Sequence, residues 1–494
     1  MMKDMIIDNI IVLRSPYFLF VLVLLSLFLL KHPILPAPSK RQQLTMGVNQ
    51  TMSTSIVLMA ALVYVHLSSS TATGNDACAS EGNDTDMSVI PIYGNCSPFK
   101  TYSSSWENTI MNMAAKDPLR VQYLSSLVKT RGRKRAPTAP IASGQAFNIG
   151  NYVLRLNLGT PPQLFFMVLD TSTDEAWVPC TGCTGCPSTA TYSPQASTTY
   201  AGSVPCFAPR CGQVRGALPC PSTGSNACTF NQSYAGSTFS ATLVQDSLKL
   251  ATDSLPSYAF GCVNSVSGGS FPAQGLLGLG RGPLSLLSQS WSRYSGVFSY
   301  CLPSFKSYYF SGSLKLGPTG QPRRIRTTPL LRNPRRPSLY YVNLTGVTVG
   351  RVRVPLQTEL LAFDPNRGSG TIIDSGTVIT RFVEPVYNAI RDEFRNQVKG
   401  PFVSIGAFDT CFVKSYEKLA PLIKFRFTGL DLTLPYENSL IHSSNGFVAC
   451  LAMAAAPNNV NSVLNVIANY QQQNLRILFD TVNNKVGIAR ELCN

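Results

Sequence analysis

Two short stretches constrain what this chain can fold into: Phe165-Phe166-Met167-Val168-Leu169-Asp170-Thr171-Ser172-Thr173 and Thr371-Ile372-Ile373-Asp374-Ser375-Gly376-Thr377. In each, an apolar run of strand composition ends on an aspartate followed by small residues, which sets a carboxylate at a strand tip where the chain must turn. The acids stand 204 residues apart in a chain of 494 that holds three histidines. One such acid carries little information. Two copies predict a pair of facing carboxylates built by two similar lobes.

The surroundings repeat as well. Asn151-Tyr152-Val153-Leu154-Arg155-Leu156-Asn157-Leu158-Gly159 predicts a strand before the first acid, and Tyr340–Gly350 predicts one before the second. After each acid comes an apolar segment of small residues, Gly275–Gly280 in the first half and Val463–Ala468 in the second. On these residues, from about Asn151 to Asn494, the chain resembles the pepsin-like aspartic proteases. The resemblance implies an all-β-dominated, bilobal acid-protease fold, two pseudo-twofold-related β-barrel lobes with a cleft between them. It implies Asp170 and Asp374 as the catalytic pair, with Thr171 and Ser375 bracing the turns across the interface and Thr173, Gly376 and Thr377 beside them. Two departures stand out: Ser172 where the family has Gly, and Ala468 where Gly follows Ile467. Ser172 keeps the backbone N–H but adds a side chain that needs room and a permitted backbone conformation.

Length allows two or three domains. Only 13% of residues are charged while there are 14 cysteines, which favours a β-rich protein of an oxidising compartment. The spacing Cys180-x-x-Cys183-x-x-Cys186 has the look of metal ligands, yet no second CxxC or paired-histidine cluster follows, so disulfides are expected and no metal or cofactor. Twelve cysteines lie beyond residue 135, an even number that permits complete pairing. The cysteine-dense insertion 180–228 resembles that of the nepenthesin-type plant enzymes. That resemblance implies the pairs Cys180–Cys183, Cys186–Cys262, Cys206–Cys228, Cys211–Cys220, Cys301–Cys493 and Cys411–Cys450.

Residues 1–51 are read as an N-terminal extension, either a signal anchor built on the apolar run Tyr17–Leu30 or an upstream stretch of reading frame, since Met46 or Met52 suits an ordinary secretory start. Residues 52–73 look like a signal peptide. Residues 74–146 show no strand rhythm but carry helical spacing over Trp106–Val128, with Ile110, Met113, Ala114, Val121, Leu124 and Leu127 on one face. In the resembled family this is a propeptide whose basic groups pair with the active-site acids at neutral pH; the plainer reading is a protease-sensitive linker. Both allow removal near residues 135–147, after the basic run Lys129–Arg135.

The N-terminal lobe is expected over 147–324, a basic interlobe connection over 325–338, and the C-terminal lobe over 339–494. Phe230–Asp246 predicts a β-hairpin with Tyr234-Ala235-Gly236-Ser237 at its tip. By resemblance this is a flap whose Tyr234 meets Trp177. Pro385–Val398 has helical spacing, and Leu475–Ile488 predicts two strands around Asn483-Asn484. The sequons at Asn231 and Asn343 are compatible with secretion and glycosylation.

Of the net charge of +16, +11 falls beyond residue 147, where 28 Lys/Arg face 17 Asp/Glu. A basic surface suits nucleic acid, an anionic cell-wall polymer or a membrane surface, or is merely solvated. The arginines at 323, 324, 326, 332, 335 and 336 lack interleaved aromatics and any nucleic-acid module, which favours an exposed connection. Other hydrolase chemistries find no support: His442 is the only histidine beyond the propeptide, and Gly-x-Ser-x-Gly and HExxH are absent. Together with these residues, the resemblance implies a monomeric acid endopeptidase acting on protein or peptide, made in the secretory pathway and released outside the cell. The alternative locations are a membrane tether through residues 17–30, a vacuole or a plastid. The alternative functions are an inactive binding protein resembling the plant xylanase inhibitors, or a polyanion-binding protein.

Overall fold

Both acid-bearing runs are strands, and each is held by the same three-stranded arrangement. Gln163–Asp170 pairs antiparallel with Tyr152–Leu158 and parallel with Leu276–Gly278, with Asp170 opposite Gly278. Gly370–Ile373 pairs antiparallel with Tyr341–Val342 and parallel with Leu464–Ile467. These are the segments whose apolar composition repeats in the sequence, and burial on both faces of the short parallel strands explains why they read as continuous apolar runs. The computed structural model describes residues 87–91, 106–128, 151–187, 190–305, 312–443, 446–457 and 462–493. Over them the fold is the predicted one, mostly β with few helices: one 19-stranded sheet and two four-stranded sheets.

The halves are joined by strands that interleave. Val297–Cys301 from the first half pairs with Leu475–Asp480 from the end of the chain, and Arg326–Leu331 pairs with Lys485–Arg490. The two closing strands predicted around Asn483-Asn484 are Leu475–Asp480 and Lys485–Arg490, and Asn484 takes the left-handed conformation that tight hairpins need. Packed on this platform, Phe298 stacks on Phe479 with centroids 4.7 Å apart, and Cys301 is bonded to Cys493.

Three expectations need correction. The segment before the first lobe is not free of strands: Met87–Pro91 pairs with Tyr152–Leu158 and with Gly312–Leu316. Its five residues are too few to show a period. Within the basic connection, Arg326–Leu331 is a sheet strand, because Thr328 and Leu330 turn inward while Arg326 stays exposed. The cysteine-rich insertion is not wholly a surface excursion, since Val204, Cys211, Val214 and Cys228 are buried with Trp177 and Phe230.

The disulfides also differ from the implied set. Cys301–Cys493 and Cys411–Cys450 are present, but the other four are Cys180–Cys262, Cys183–Cys186, Cys206–Cys220 and Cys211–Cys228. Sheet register decides this. Trp177–Thr184 runs parallel to Asp253–Ser267 with Val178 opposite Cys262, which brings Cys180 rather than Cys186 to Cys262 at a Cα separation of 5.4 Å. Cys211 and Cys228 are both inward-facing, whereas Cys206 and Cys220 are partly exposed.

Helix Glu384–Val398 starts with Pro385 in its first turn and ends on Lys399 in the left-handed region. It buries Val386, Tyr387, Ile390, Phe394 and Val398, at roughly 1.5–3 kcal/mol for each large side chain. Among the described residues no helix is long and apolar enough to cross a membrane. The run Tyr17–Leu30, the signal-peptide-like residues 52–73, the basic run 129–135 and the cleavage window 135–147 lie outside the described residues, as do the side chains of Met113 and Leu127.

Candidate active site

The two aspartate turns meet. Thr171 N–H donates to Ser375 Oγ at 3.2 Å, Ser375 N–H donates to Thr171 Oγ1 at 3.0 Å, and Ser375 Oγ donates on to Leu169 O at 2.9 Å. These reciprocal bonds lock residues 204 apart in sequence into one rigid unit. Asp170 and Asp374 are fully buried. Gly376 sits so close to the opposite acid that a Cβ there would lie 2.7 Å from Asp170 Oδ2. Each carboxylate accepts from its own turn. Gly376 N–H donates to Asp374 Oδ1 at 3.0 Å and Thr377 Oγ1 to its Oδ2 at 2.6 Å, while Ser172 donates to Asp170 Oδ1 from both N–H at 2.8 Å and Oγ at 2.9 Å.

Over the acids lies a hairpin, Thr229–Tyr234 paired with the start of Ser237–Leu250, with Ala235 and Gly236 both at positive φ in its tip. Tyr234 meets Trp177 edge to face, centroids 5.6 Å apart, and Trp177 stacks on Phe271 at 4.6 Å. Asn151 Nδ2 donates to the Tyr234 hydroxyl at 3.0 Å. The structure thus brings Asp170, Asp374, Tyr234 and Trp177 into one site.

A side chain from another part of the chain occupies the space between the acids. Helix Trp106–Val128 lies across the site with Leu119 against Gly236 of the hairpin tip and Met111 against Gly406 of the second half. Its Arg120 is 3% exposed; Nη2 donates to both Asp170 oxygens at 2.7 Å, reaches Ser172 Oγ, and Nε lies 3.5 Å from Asp374 Oδ2. The guanidinium is flanked by the rings of Tyr234 at 5.1 Å and Tyr123 at 5.5 Å. Burial alone would lower its pKa, but the carboxylates of Asp170 and Asp374 outweigh burial and hold it above the usual arginine value.

One turn earlier, Asp117 grips the second lobe. Its oxygens accept from Val378 N–H at 2.9 Å and Ile379 N–H at 2.7 Å, just after the Asp374 turn. Burial pushes the Asp117 carboxyl up to about 6, against the opposing pull of Arg381 and the two N–H groups. Pro118 sits inside the helix and brings no N–H for the carbonyl of Ala114. Arg381 Nη2 supplies that bond at 2.9 Å, so a break in the helical ladder becomes a cross-link to the second lobe.

Comparison with known proteins places this geometry. A model described as xylanase inhibitor N-terminal matches residues 152–318, and one described as xylanase inhibitor C-terminal matches residues 339–490. Aspartyl protease AED3 of Arabidopsis thaliana is 59% identical over 433 residues, covering 86% of this chain and 96% of the relative. The chain belongs to the pepsin-like aspartic protease family. Within that family, aspartyl protease 25 of Oryza sativa subsp. japonica is 50% identical (82% of this chain, 94% of the relative), and aspartic proteinase nepenthesin-1 of Nepenthes gracilis is 36% identical (70% and 78%). Among solved structures, edgp aligns with a TM-score of 0.56 at 21% identity, over 69% of this chain and 92% of that one. Basic 7S globulin from soybean aligns at 0.56 and 20%, over 69% and 93%. At such identities these two report the fold.

Against the family pattern, both departures are accommodated. Ala468 has φ −93° and ψ 172°, extended backbone open to any residue. Ser172 is not among the residues at positive φ, and it is 4% exposed. Of the sequon asparagines, Asn231 is exposed, whereas Asn343 donates its amide to Thr428 at 2.8 Å. Among the described residues no group of three or more His, Cys, Asp or Glu gathers as a metal site. Sequence reasoning missed Arg120 and Asp117. Both share a helical face with the buried Ile110, Ala114, Val121 and Leu124, so two charges on an apolar stripe were the available signal.

Proposed function

We propose that the chain is an aspartic endopeptidase made as an inactive precursor, with Asp170 and Asp374 as the catalytic pair and helix Trp106–Val128 as its inhibitory prosegment. The observation that carries this reading is Arg120 bridging the two braced carboxylates beneath the Tyr234 hairpin. Two carboxylates this close share one proton in the working enzyme. The charged partner takes a proton from a bound water, the water attacks the peptide carbonyl, and the protonated partner first polarises that carbonyl and then supplies the leaving nitrogen. These protons belong to the pair rather than to a named residue. Arg120 blocks this chemistry by occupying the place between the carboxylates where the water would bind. As the pair takes up protons in acid, the attraction for Arg120 falls and the helix is released. Peptide substrate then enters where the helix lay.

Six disulfides among the described residues and the family membership support synthesis along the secretory route, with glycosylation at the exposed Asn231. The test is acid incubation of the full-length precursor with and without pepstatin, followed by N-terminal sequencing of the product. Pepstatin-sensitive trimming C-terminal to Val128 is expected. A precursor that cleaves neither itself nor a denatured protein substrate at any acid pH refutes the assignment.

A further inference from the structure

We propose that Ser172, through its hydroxyl, is the positioning residue that balances Asp170 against Asp374, a part Thr377 plays on the second lobe and Thr173 does not play on the first. The inference rests on the reading of Asp170 and Asp374 as the catalytic pair. Each turn carries a threonine three residues after its acid, so by pseudo-symmetry Thr173 and Thr377 should be equivalent. They are not. Thr377 Oγ1 donates to Asp374 Oδ2 at 2.6 Å, whereas Thr173 Oγ1 is buried with no hydrogen-bond partner. Ser172 Oγ instead donates to Asp170 Oδ1 at 2.9 Å, beside its own N–H at 2.8 Å. Each carboxylate therefore receives two bonds from its own turn. Without the serine hydroxyl Asp170 would receive one from its own turn against the two at Asp374.

The hydroxyl can hold this place whether or not the prosegment is docked. It donates its single hydrogen to Asp170 and only touches Arg120, so departure of the helix leaves the donated bond intact. The charged and titratable groups facing Asp170 are Arg120 and Tyr123 from the helix, Tyr234 from the hairpin and Asp374 from the opposite turn, with Asp174 and Glu175 following on its own element. Once the helix has gone, Arg120 and Tyr123 leave with it. The neutral donors Ser172 and Tyr234 and the like charge of Asp374 remain. A donor to the charged carboxylate favours that charge, so removing it lets the pair take up its second, inactivating proton at higher pH.

The test compares pH–rate profiles of acid-activated full-length wild type, Ser172→Ala, Ser172→Gly, Ser172→Thr and Thr173→Val, each normalised to pepstatin-titrated sites. Ser172→Ala and Ser172→Gly should move the acid limb of kcat/KM upward by roughly 0.5–1 pH unit, with kcat falling more than KM changes. Ser172→Thr keeps a hydroxyl and should restore the wild-type limb. Thr173→Val, whatever it costs in rate or stability, should keep that limb too. The glycine variant guards against misfolding, because glycine is the residue the family carries there. An unmoved acid limb in both hydroxyl-free variants overturns the proposal, as does an equal shift in Thr173→Val. Activity surviving in Asp374→Asn, run alongside, would instead overturn the catalytic-pair reading on which it rests.

Discussion

The first acid turn holds a serine where the second holds a glycine, and the surroundings differ to match. A side chain at Gly376 would press on Asp170 and on Arg120, whereas Ser172 carries one, bonded to Asp170 and in contact with the same guanidinium. Arg120 shares the asymmetry: one nitrogen serves both oxygens of Asp170, and only Nε approaches Asp374. Two turns of common plan thus differ: one is closed to a side chain after its acid, and the other carries a bonded one. The lesson is that pseudo-symmetry fixes the backbone and the acids, while the small residues around them are free to exchange duties.

Neutralising each acid in turn separates the two turns most strongly. Asp170→Asn and Asp374→Asn should each lower peptidase activity by at least about 10³-fold in steady-state assays at acid pH. In the unprocessed precursor the two should part company, with Asp170→Asn exposing the cleft to pepstatin at neutral pH more than Asp374→Asn does. Next in size, Arg120→Gln leaves both turns without their shared cation. Breaking a buried pair costs roughly 3–5 kcal/mol, so pepstatin should bind this precursor at pH 7 about 10²-fold or more tighter than wild type, as read by calorimetry.

Gly376→Ala probes the closed side directly. A displacement of the acids by a fraction of an ångström should cost about 10²-fold in kcat, whereas the open side already carries a Cβ. Equal tolerance at both positions would erase the distinction. Thr377→Val removes one hydroxyl bond to a charged group and should cost about 10-fold in kcat/KM, mainly at the acid end of the profile.

The smallest expected effect concerns the second grip of the helix. Docked Asp117 sits at about 6, above the ordinary 3.8, so the docked state holds the extra proton between those values. By linkage, that group's contribution to docking is fully present below the ordinary value and is lost as pH rises through about 6. Asp117 therefore opposes acid release. Asp117→Ala should give release at higher pH, by less than about one unit, and over a narrower pH range, followed by tryptophan fluorescence of the precursor. A shallower transition would contradict this sign.

Much of the site was legible beforehand for a simple reason. A strand that ends on an acid and a small-residue turn is a local pattern, and finding it twice locates Asp170 and Asp374 without any knowledge of the fold. The hairpin tip at Tyr234 was readable on the same terms, because positive-φ turn residues between alternating strands are a short-range signal. The disulfides of the insertion were not readable. Their pairing follows from which residue of Trp177–Thr184 lies beside Cys262, and register is set by burial across the sheet rather than by spacing along the chain. Arg120 was hidden by a competing signal, since the charge density of the basic run Lys129–Arg135 outweighs a single charge on an apolar helical face.

By itself, then, the amino-acid order determined the duplicated β architecture, the two acids and the presence of a helix before the first lobe, since each depends on periodicity and turn chemistry within a dozen residues. Tertiary structure alone decided which hydroxyl braces Asp170, which cysteines meet, and that Arg120 enters the cleft. Those outcomes turn on distances of a few ångströms between segments far apart in sequence, where a bond is made or lost according to packing that no local pattern records.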